Sequence, residues 1–313
     1  MTTTLPSRPA AARPRRKAAG TGARTTGRPL TGLLFVTPTA LIVIAFFVVP
    51  LGIMLFMSLS DWPLLGSPSF AGFDNYAKIF HDKLFLSAIT FTLVYTGITT
   101  VVVFGISFVL VAISNSPRRG AKFYRTAFFL PYVLGTASAA LLWGVDANDQ
   151  VGVFNRILQD LGILSEPAGF LATPAKALFT VIAMVVWKFI GFQVVVLLVA
   201  LRSVPAELYE AAKLDGANAW ARLRYITLPY LRPTLTLLFM LSVAGSVLAF
   251  DQFYVLTQGG PANSTVTVVL DLYNTAFSHF KLGTAAAMSV VLLIALVLIN
   301  AVQLRLRREK GDA

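Results

Sequence analysis

Glu210-Ala211-Ala212-Lys213-Leu214-Asp215-Gly216, followed after nine intervening residues by Ile226-Thr227-Leu228-Pro229, lies in a polar insert between two long apolar runs. Such an insert, roughly 25 residues long, predicts a compact loop projecting from a membrane domain. Pro205 suits the first turn of a helix, with Ser203 upstream as a cap. Leu208, Ala211, Ala212 and Leu214 put apolar and small groups on one side of that helix, opposite Glu207, Glu210 and Lys213. Gly216 ends it where a left-handed residue is cheapest. Asn218 can cap a second short helix over 219–224, which Pro229 separates from the next apolar run. Taken alone, these residues fit two things: a small-faced helix gripped in a partner's groove, or an amphipathic loop lying on the membrane surface.

Composition sets the class. Hydrophobic residues make up 56% of the 313 and charged residues 13%, with mean hydropathy +0.73. That balance belongs to a polytopic membrane protein. Six apolar runs, 33–57, 87–113, 126–145, 175–201, 231–250 and 283–302, each reach the roughly 20 residues a bilayer requires. The fourth is interrupted by Lys176 and Lys188. None alternates like a strand, so the expected fold is all-α, with helices satisfying the backbone.

Basic residues orient these spans. The N-terminal tail holds Arg8, Arg13, Arg15, Arg16, Lys17, Arg24 and Arg28, and the loop after the second span holds Arg118, Arg119, Lys122 and Arg125. Arg202, Lys213, Arg222, Arg224 and Arg232 surround the quoted loop, and Arg305, Arg307, Arg308 and Lys310 close the chain. The alternate loops carry only Lys78, Lys83, Arg156 and Lys281, with Lys176 at a span boundary. The asymmetry predicts cytoplasmic termini and a cytoplasmic 202–229 loop. It also accounts for the net charge of +12 without nucleic acid, since the charge is spread over one membrane face and suits anionic lipid headgroups.

The chain divides into a basic disordered tail (1–30), a six-helix domain (31–303) with its loop at about 202–229, and a short basic tail (304–313). Cys is absent, so disulfides and thiolate metal sites are unavailable. No G-x-x-x-x-G-K-[ST], G-x-S-x-G or H-E-x-x-H occurs. His81 and His279 fall in loops and read as surface residues rather than metal ligands. The chain is therefore expected to be no enzyme, with no metal or cofactor of its own.

The pattern E-A-A, three residues, G, nine residues, I-x-L-P resembles the coupling loop of bacterial ATP-binding-cassette importer permeases. Its flanks, Leu201-Arg202-Ser203-Val204-Pro205 and Asp215-Gly216-Ala217, look like the carbohydrate branch. Phe73-Asp74-Asn75-Tyr76, Phe123-Tyr124-Arg125 with Leu130-Pro131, and Gly152-Val153-Phe154-Asn155 with Leu158 extend the resemblance. So does Leu256-Thr257-Gln258-Gly259-Gly260-Pro261 with Thr265, similar to a hallmark of the sugar permeases. The resemblance implies a multi-pass permease of the bacterial cytoplasmic membrane whose first helix lies outside a core of five. Its implied partners are a second permease subunit, two ATPase subunits that carry ATP and Mg, and an extracytoplasmic solute-binding protein. It implies that Glu210, Ala211, Ala212, Asp215, Gly216, Ile226, Leu228 and Pro229 meet the ATPase.

In maltose-type members substrate contacts come from the spans on either side of that loop. The matching positions are Trp187, Phe189, Phe192 and Gln193, then Ser242, Ser246 and Phe250. Aromatic faces suit the C–H faces of a sugar ring, while amide and hydroxyl groups bond its hydroxyls. The same residues also suit lipid contact and helix packing. Lys188, an ionisable group within a span, fits either recognition of an anion such as a phosphorylated polyol, or a snorkelled or water-exposed side chain. The other class of function, an ion-coupled carrier, would need intramembrane acids. Here Asp146 and Asp251 are the nearest acids, both at span edges.

Overall fold

The computed structural model describes residues 29–114 and 121–308. The tail 1–28, Arg118 and Arg119, the side chains of the Phe123-Tyr124-Arg125 motif, and the last five residues lie outside what is described. The chain divides into a unit ending at Leu51 and a second beginning at Gly52. The first unit is helical: α1 (Pro29–Val43), a π turn (Ile44–Val48) and the start of α2 (Val49–Ser58). From Leu33 to Ser58 this helix is apolar and long enough to cross a membrane.

In the second unit a two-residue hairpin, β1 (Ser60–Asp61) with β2 (Ser69–Phe70), leads into α3 (Asp74–His81) and the long α4 (Lys83–Ser114). The Phe73–Tyr76 motif acquires a physical role here. Asn75 donates from Nδ2 to the Ser58 and Ser60 carbonyls at 3.1 and 2.9 Å and accepts from Thr284 at 3.3 Å, while Tyr76 donates to Ser58 Oγ at 2.8 Å. α5 (Ala121–Val133), α6 (Thr136–Asp146) and α7 (Val153–Asp160) follow, then α8 (Pro174–Arg202). Thr173 caps α8 by accepting from Lys176 N, with Pro174 in the first turn.

α9 (Ala206–Leu214) and α10 (Ala219–Arg222) form the quoted loop, and α11 (Leu228–Val247), α12 (Val268–Tyr273) and α13 (Leu282–Arg308) complete the chain. Tyr95, Phe85, Val181, Met184, Phe253, Leu270 and Met288 are buried at the centre. The Tyr95 and Phe253 rings meet edge to face at 4.9 Å.

Five described helices are long and apolar enough to span a bilayer, and a sixth span exists if the bent pair α5–α6 is one crossing. The polytopic all-α expectation holds, with three corrections. The third span is not one rod: 126–133 and 136–146 meet at 105°. Pro131 removes a backbone donor, and Gly135 is extended at φ −60°, ψ 144°. Pro229 does not separate α10 from the fifth span. A π turn over Leu223–Thr227 carries the helix through, its Leu228 N–H bonding Leu223 O, so the proline that follows falls where the bonding register has already shifted. The sixth helix runs past 302 to Arg308, because Leu304, Arg305 and their neighbours are strong helix formers and cations suit a helix C-terminus.

Candidate functional site

Three spans converge on a cavity of about 400 Å³. α8 supplies Phe189, Phe192 and Gln193, α11 supplies Ser242 and Ser246, and Phe250 follows α11. Six of the seven positions chosen from sequence therefore share one space. Trp187 is the correction. It does not line the cavity, and its ring lies 5.9 Å from that of Trp143, because position 187 falls on a different helical face from 189, 192 and 193.

Sequence reasoning missed a wall of the cavity, which α4 provides through Tyr95, Thr99 and Val103. These positions recur every four residues, and the buried polar stripe Thr92, Tyr95, Thr96, Thr99, Thr100 and Ser107 was the available signal. Tyr132, Asp251 and Gln252 also join the lining. Gln252 donates to Tyr95 Oη at 3.2 Å, and Thr100 and Ser242 hydroxyls meet at 3.3 Å. Tyr132 stacks on Phe192 with centroids 4.8 Å apart. Gln193 Nε2 is buried with no hydrogen-bond partner, an amide donor left free at the cavity wall.

Lys188 takes neither of the roles open to it in sequence. Its side chain is 3% exposed, and Nζ donates to the Tyr132 carbonyl at 3.4 Å and to the Leu134 carbonyl. Those carbonyls belong to the broken end of α5, where no helical donor remains for them. The ammonium thus caps a helix C-terminus from a neighbouring span, an arrangement the helix dipole favours. The Phe189 ring lies 5.1 Å from Nζ and adds a cation–π contact. One turn on, Gly191 lets α8 approach α5 so closely that a Cβ would sit 1.9 Å from Phe128 O. Lys188 and Gly191 together hold the kinked helix that carries Tyr132 to the cavity.

The loop folds much as its residues suggest. Gly216 has φ +75°, its N–H bonds Lys213 O at 3.1 Å, and Ala217 N–H bonds Ala212 O at 2.8 Å. These two bonds make a Schellman cap, which needs a left-handed residue at Gly216. Asn218 Oδ1 accepts from Ala221 N at 2.8 Å, capping α10. Ser203 differs from expectation: it closes α8, its hydroxyl donating to Ala200 O, while Pro205 occupies the cap position of α9. The Tyr209 and Thr227 hydroxyls meet at 2.8 Å, and Tyr230 donates to Ser203 O at 3.0 Å, bracing the loop. Glu210, Ala211, Asp215, Gly216 and Pro229 are exposed, whereas Ala212, Ile226 and Leu228 are half-buried. Leu214, Trp220 and Tyr225 present apolar groups outward.

Residues 109–310 match the family described as binding-protein-dependent transport system inner membrane component. The chain is 32% identical to the sn-glycerol-3-phosphate transport system permease protein UgpA of Agrobacterium fabrum, over 87% of this chain and 92% of that one. It is 35% identical to the diacetylchitobiose uptake system permease protein NgcF of Streptomyces coelicolor, over 93% and 88% of the two chains. A crystal structure of a bacterial ABC transporter that imports the acidic polysaccharide alginate contains a chain of similar fold. It gives TM-score 0.75 and 25% identity, over 89% of this chain and 96% of that one. The spans, the Schellman-capped loop and these likenesses agree: the chain belongs to the inner-membrane components of binding-protein-dependent transport systems, the permease subunits of ABC importers.

Proposed function

We propose that this permease subunit passes a neutral mono- or oligosaccharide through the cavity between α4, α8 and α11, driven by ATPase subunits seated on the 202–229 loop. The observation that carries the substrate class is the cavity's chemistry. Aromatic rings (Phe189, Phe192, Tyr132), amides (Gln193, Gln252) and hydroxyls (Ser242, Ser246, Tyr95) line about 400 Å³, with no basic side chain among the described lining residues. That volume lies in the range of small-molecule sites, roughly 300–1,000 Å³. A phosphorylated or acidic cargo would need cationic donors there, because burying an unpaired charge costs several kcal/mol. The lysine nearest the cavity, Lys188, is committed to helix carbonyls.

The reading completes the transporter with a second permease subunit, two ATPases that bind ATP and Mg, and a solute-binding protein on the outer face. The chain itself performs no catalysis. The basic bias supports a cytoplasmic loop and cytoplasmic termini. The test is uptake by the reconstituted transporter. Gln193→Ala should raise KM for a neutral saccharide by about tenfold, the worth of a hydrogen bond whose loss strands its partner. Binding-protein affinity and assembly should be unchanged. Uptake confined to sn-glycerol 3-phosphate, and abolished by Lys188→Met, would overturn it.

A further inference from the structure

A second cavity, of about 520 Å³, lies where β1, α3, the start of α4, α12 and the start of α13 meet. By chain direction these are the span ends opposite the 202–229 loop. Its floor includes Asp271, whose side chain is 2% exposed and whose Oδ2 has no hydrogen-bond partner. A buried carboxylate oxygen without a donor is costly, and such groups are ordinarily satisfied. Around it stands an exposed rim of Asp61, Lys78, Asp82, His279 and Lys281. Burial, with Asp82 nearby, pushes the Asp271 carboxyl up to about 6, and His279 pulls it part of the way back. It is therefore a carboxylate at neutral pH.

The occupant can be argued from charge and shape. Three carboxylates oppose an anion, and Lys78 and Lys281 oppose a cation. A molecule offering several neutral donors and acceptors suits both sets. Trp62 and Phe280 line the same cavity and supply flat apolar faces. Phe280 is held at φ +55°, a conformation costly for a bulky side chain, and such outliers cluster where ligands bind. We propose that this cavity is a second saccharide site, in which hydroxyl groups donate to Asp271 while a sugar ring lies against Trp62. Cargo would rest there on its way to the cavity between α4, α8 and α11. The proposal takes its cargo from the saccharide reading above but stands on a separate set of residues.

Leu282 lines this cavity without a polar role. In the assembled transporter in nanodiscs, without binding protein, Leu282→Cys would be alkylated by N-ethylmaleimide and followed by the mass of this chain. Glucose, maltose, trehalose and diacetylchitobiose serve as probes, with sn-glycerol 3-phosphate and lysine as charged comparators. At least one of the four sugars should slow alkylation. Asp271→Asn keeps the shape but loses the charge, and should raise the half-protecting concentration about tenfold or more. Gln193→Ala should leave it unchanged. Protection by none of the four sugars, protection that survives Asp271→Asn, or stronger protection by either charged comparator overturns the proposal. A Gln193→Ala uptake defect, with no sugar slowing alkylation of the Leu282→Cys protein, would sink this site and leave the central cavity standing.

Discussion

Gly191→Ala tests how the cavity wall is held. The added Cβ would lie 1.9 Å from Phe128 O, 2.4 Å from Phe128 C and 2.7 Å from Phe129 Cα, all backbone atoms. None can rotate away as a side-chain tip could. Real Cβ contacts essentially never fall under 3.0 Å, so α8 and α5 must separate by about 1.1 Å at this crossing. Overpacking of this kind typically costs about 1–3 kcal/mol, and a clash with backbone belongs at the upper end. The helix propensity gained by Gly→Ala, about 1 kcal/mol, offsets part of it. A net loss of about 2 kcal/mol remains, which lowers Tm by several degrees. Tyr132 rides on α5 and Phe192 on α8, so their stack at 4.8 Å should open and the uptake KM should rise with the instability. Gly97→Ala is the control, because nothing lies within 4 Å of its added Cβ. Thermal unfolding in nanodiscs beside saccharide uptake would measure both. A Gly191→Ala protein that melts and transports like the parent would refute the close approach and its part in shaping the cavity.

Gly216→Ala meets no steric obstacle but must hold φ +75°, at a cost of about 1 kcal/mol. Folding should survive while binding-protein-stimulated ATP hydrolysis falls, and unchanged hydrolysis would remove the loop from coupling. In a chain without native cysteines, the exposed Ser165, in the loop between α7 and α8, should react as Ser165→Cys with an impermeant maleimide in intact cells and Gly216→Cys should not. The reverse pattern would overturn the orientation. The Asp271 value of about 6 lies above the carboxyl's ordinary 3.8, so the folded protein binds this proton more tightly than the unfolded chain does. Its destabilising effect is absent in acid, grows as pH rises through that window and is complete above it. The Tm advantage of Asp271→Asn should therefore widen between about pH 4 and about pH 6 and stay level beyond pH 7, and a constant difference across the range would contradict it.

What could be read from sequence was what local chemistry decides. Gly216 and Asn218 sit at helix ends whose caps need those residue types, and the apolar lengths of the second, fourth and sixth runs dictate their helices. Six cavity residues were also legible, because they lie on two spans flanking one motif. The third wall was only half legible: the polar stripe on α4 marks a buried face, but that Gln252 meets Tyr95 across 157 positions is recorded by no periodicity. Lys188 was ambiguous for a related reason. Its partners are carbonyls freed by a break at Leu134 and Gly135, and Pro131 advertises that break only weakly because many membrane helices carry proline unbroken. Pro229 misled in the opposite direction, since the π turn before it lets the helix continue.

That continuity has a mechanical consequence. From Ala219 to Val247 the chain is one continuous helical span of 29 residues, about 43 Å long at 1.5 Å per residue, with a π turn and Pro233 inside it. Its first turn is capped by Asn218 beside the Schellman turn, and its last turns carry Ser242 and Ser246 into the cavity. Moving as one body, a helix of that length tilted by about 10° at one end sweeps the other by roughly 7 Å. That is wider than a sugar ring. On the coupling proposed above, a small rocking of the loop would become a displacement large enough to move one wall of the cavity.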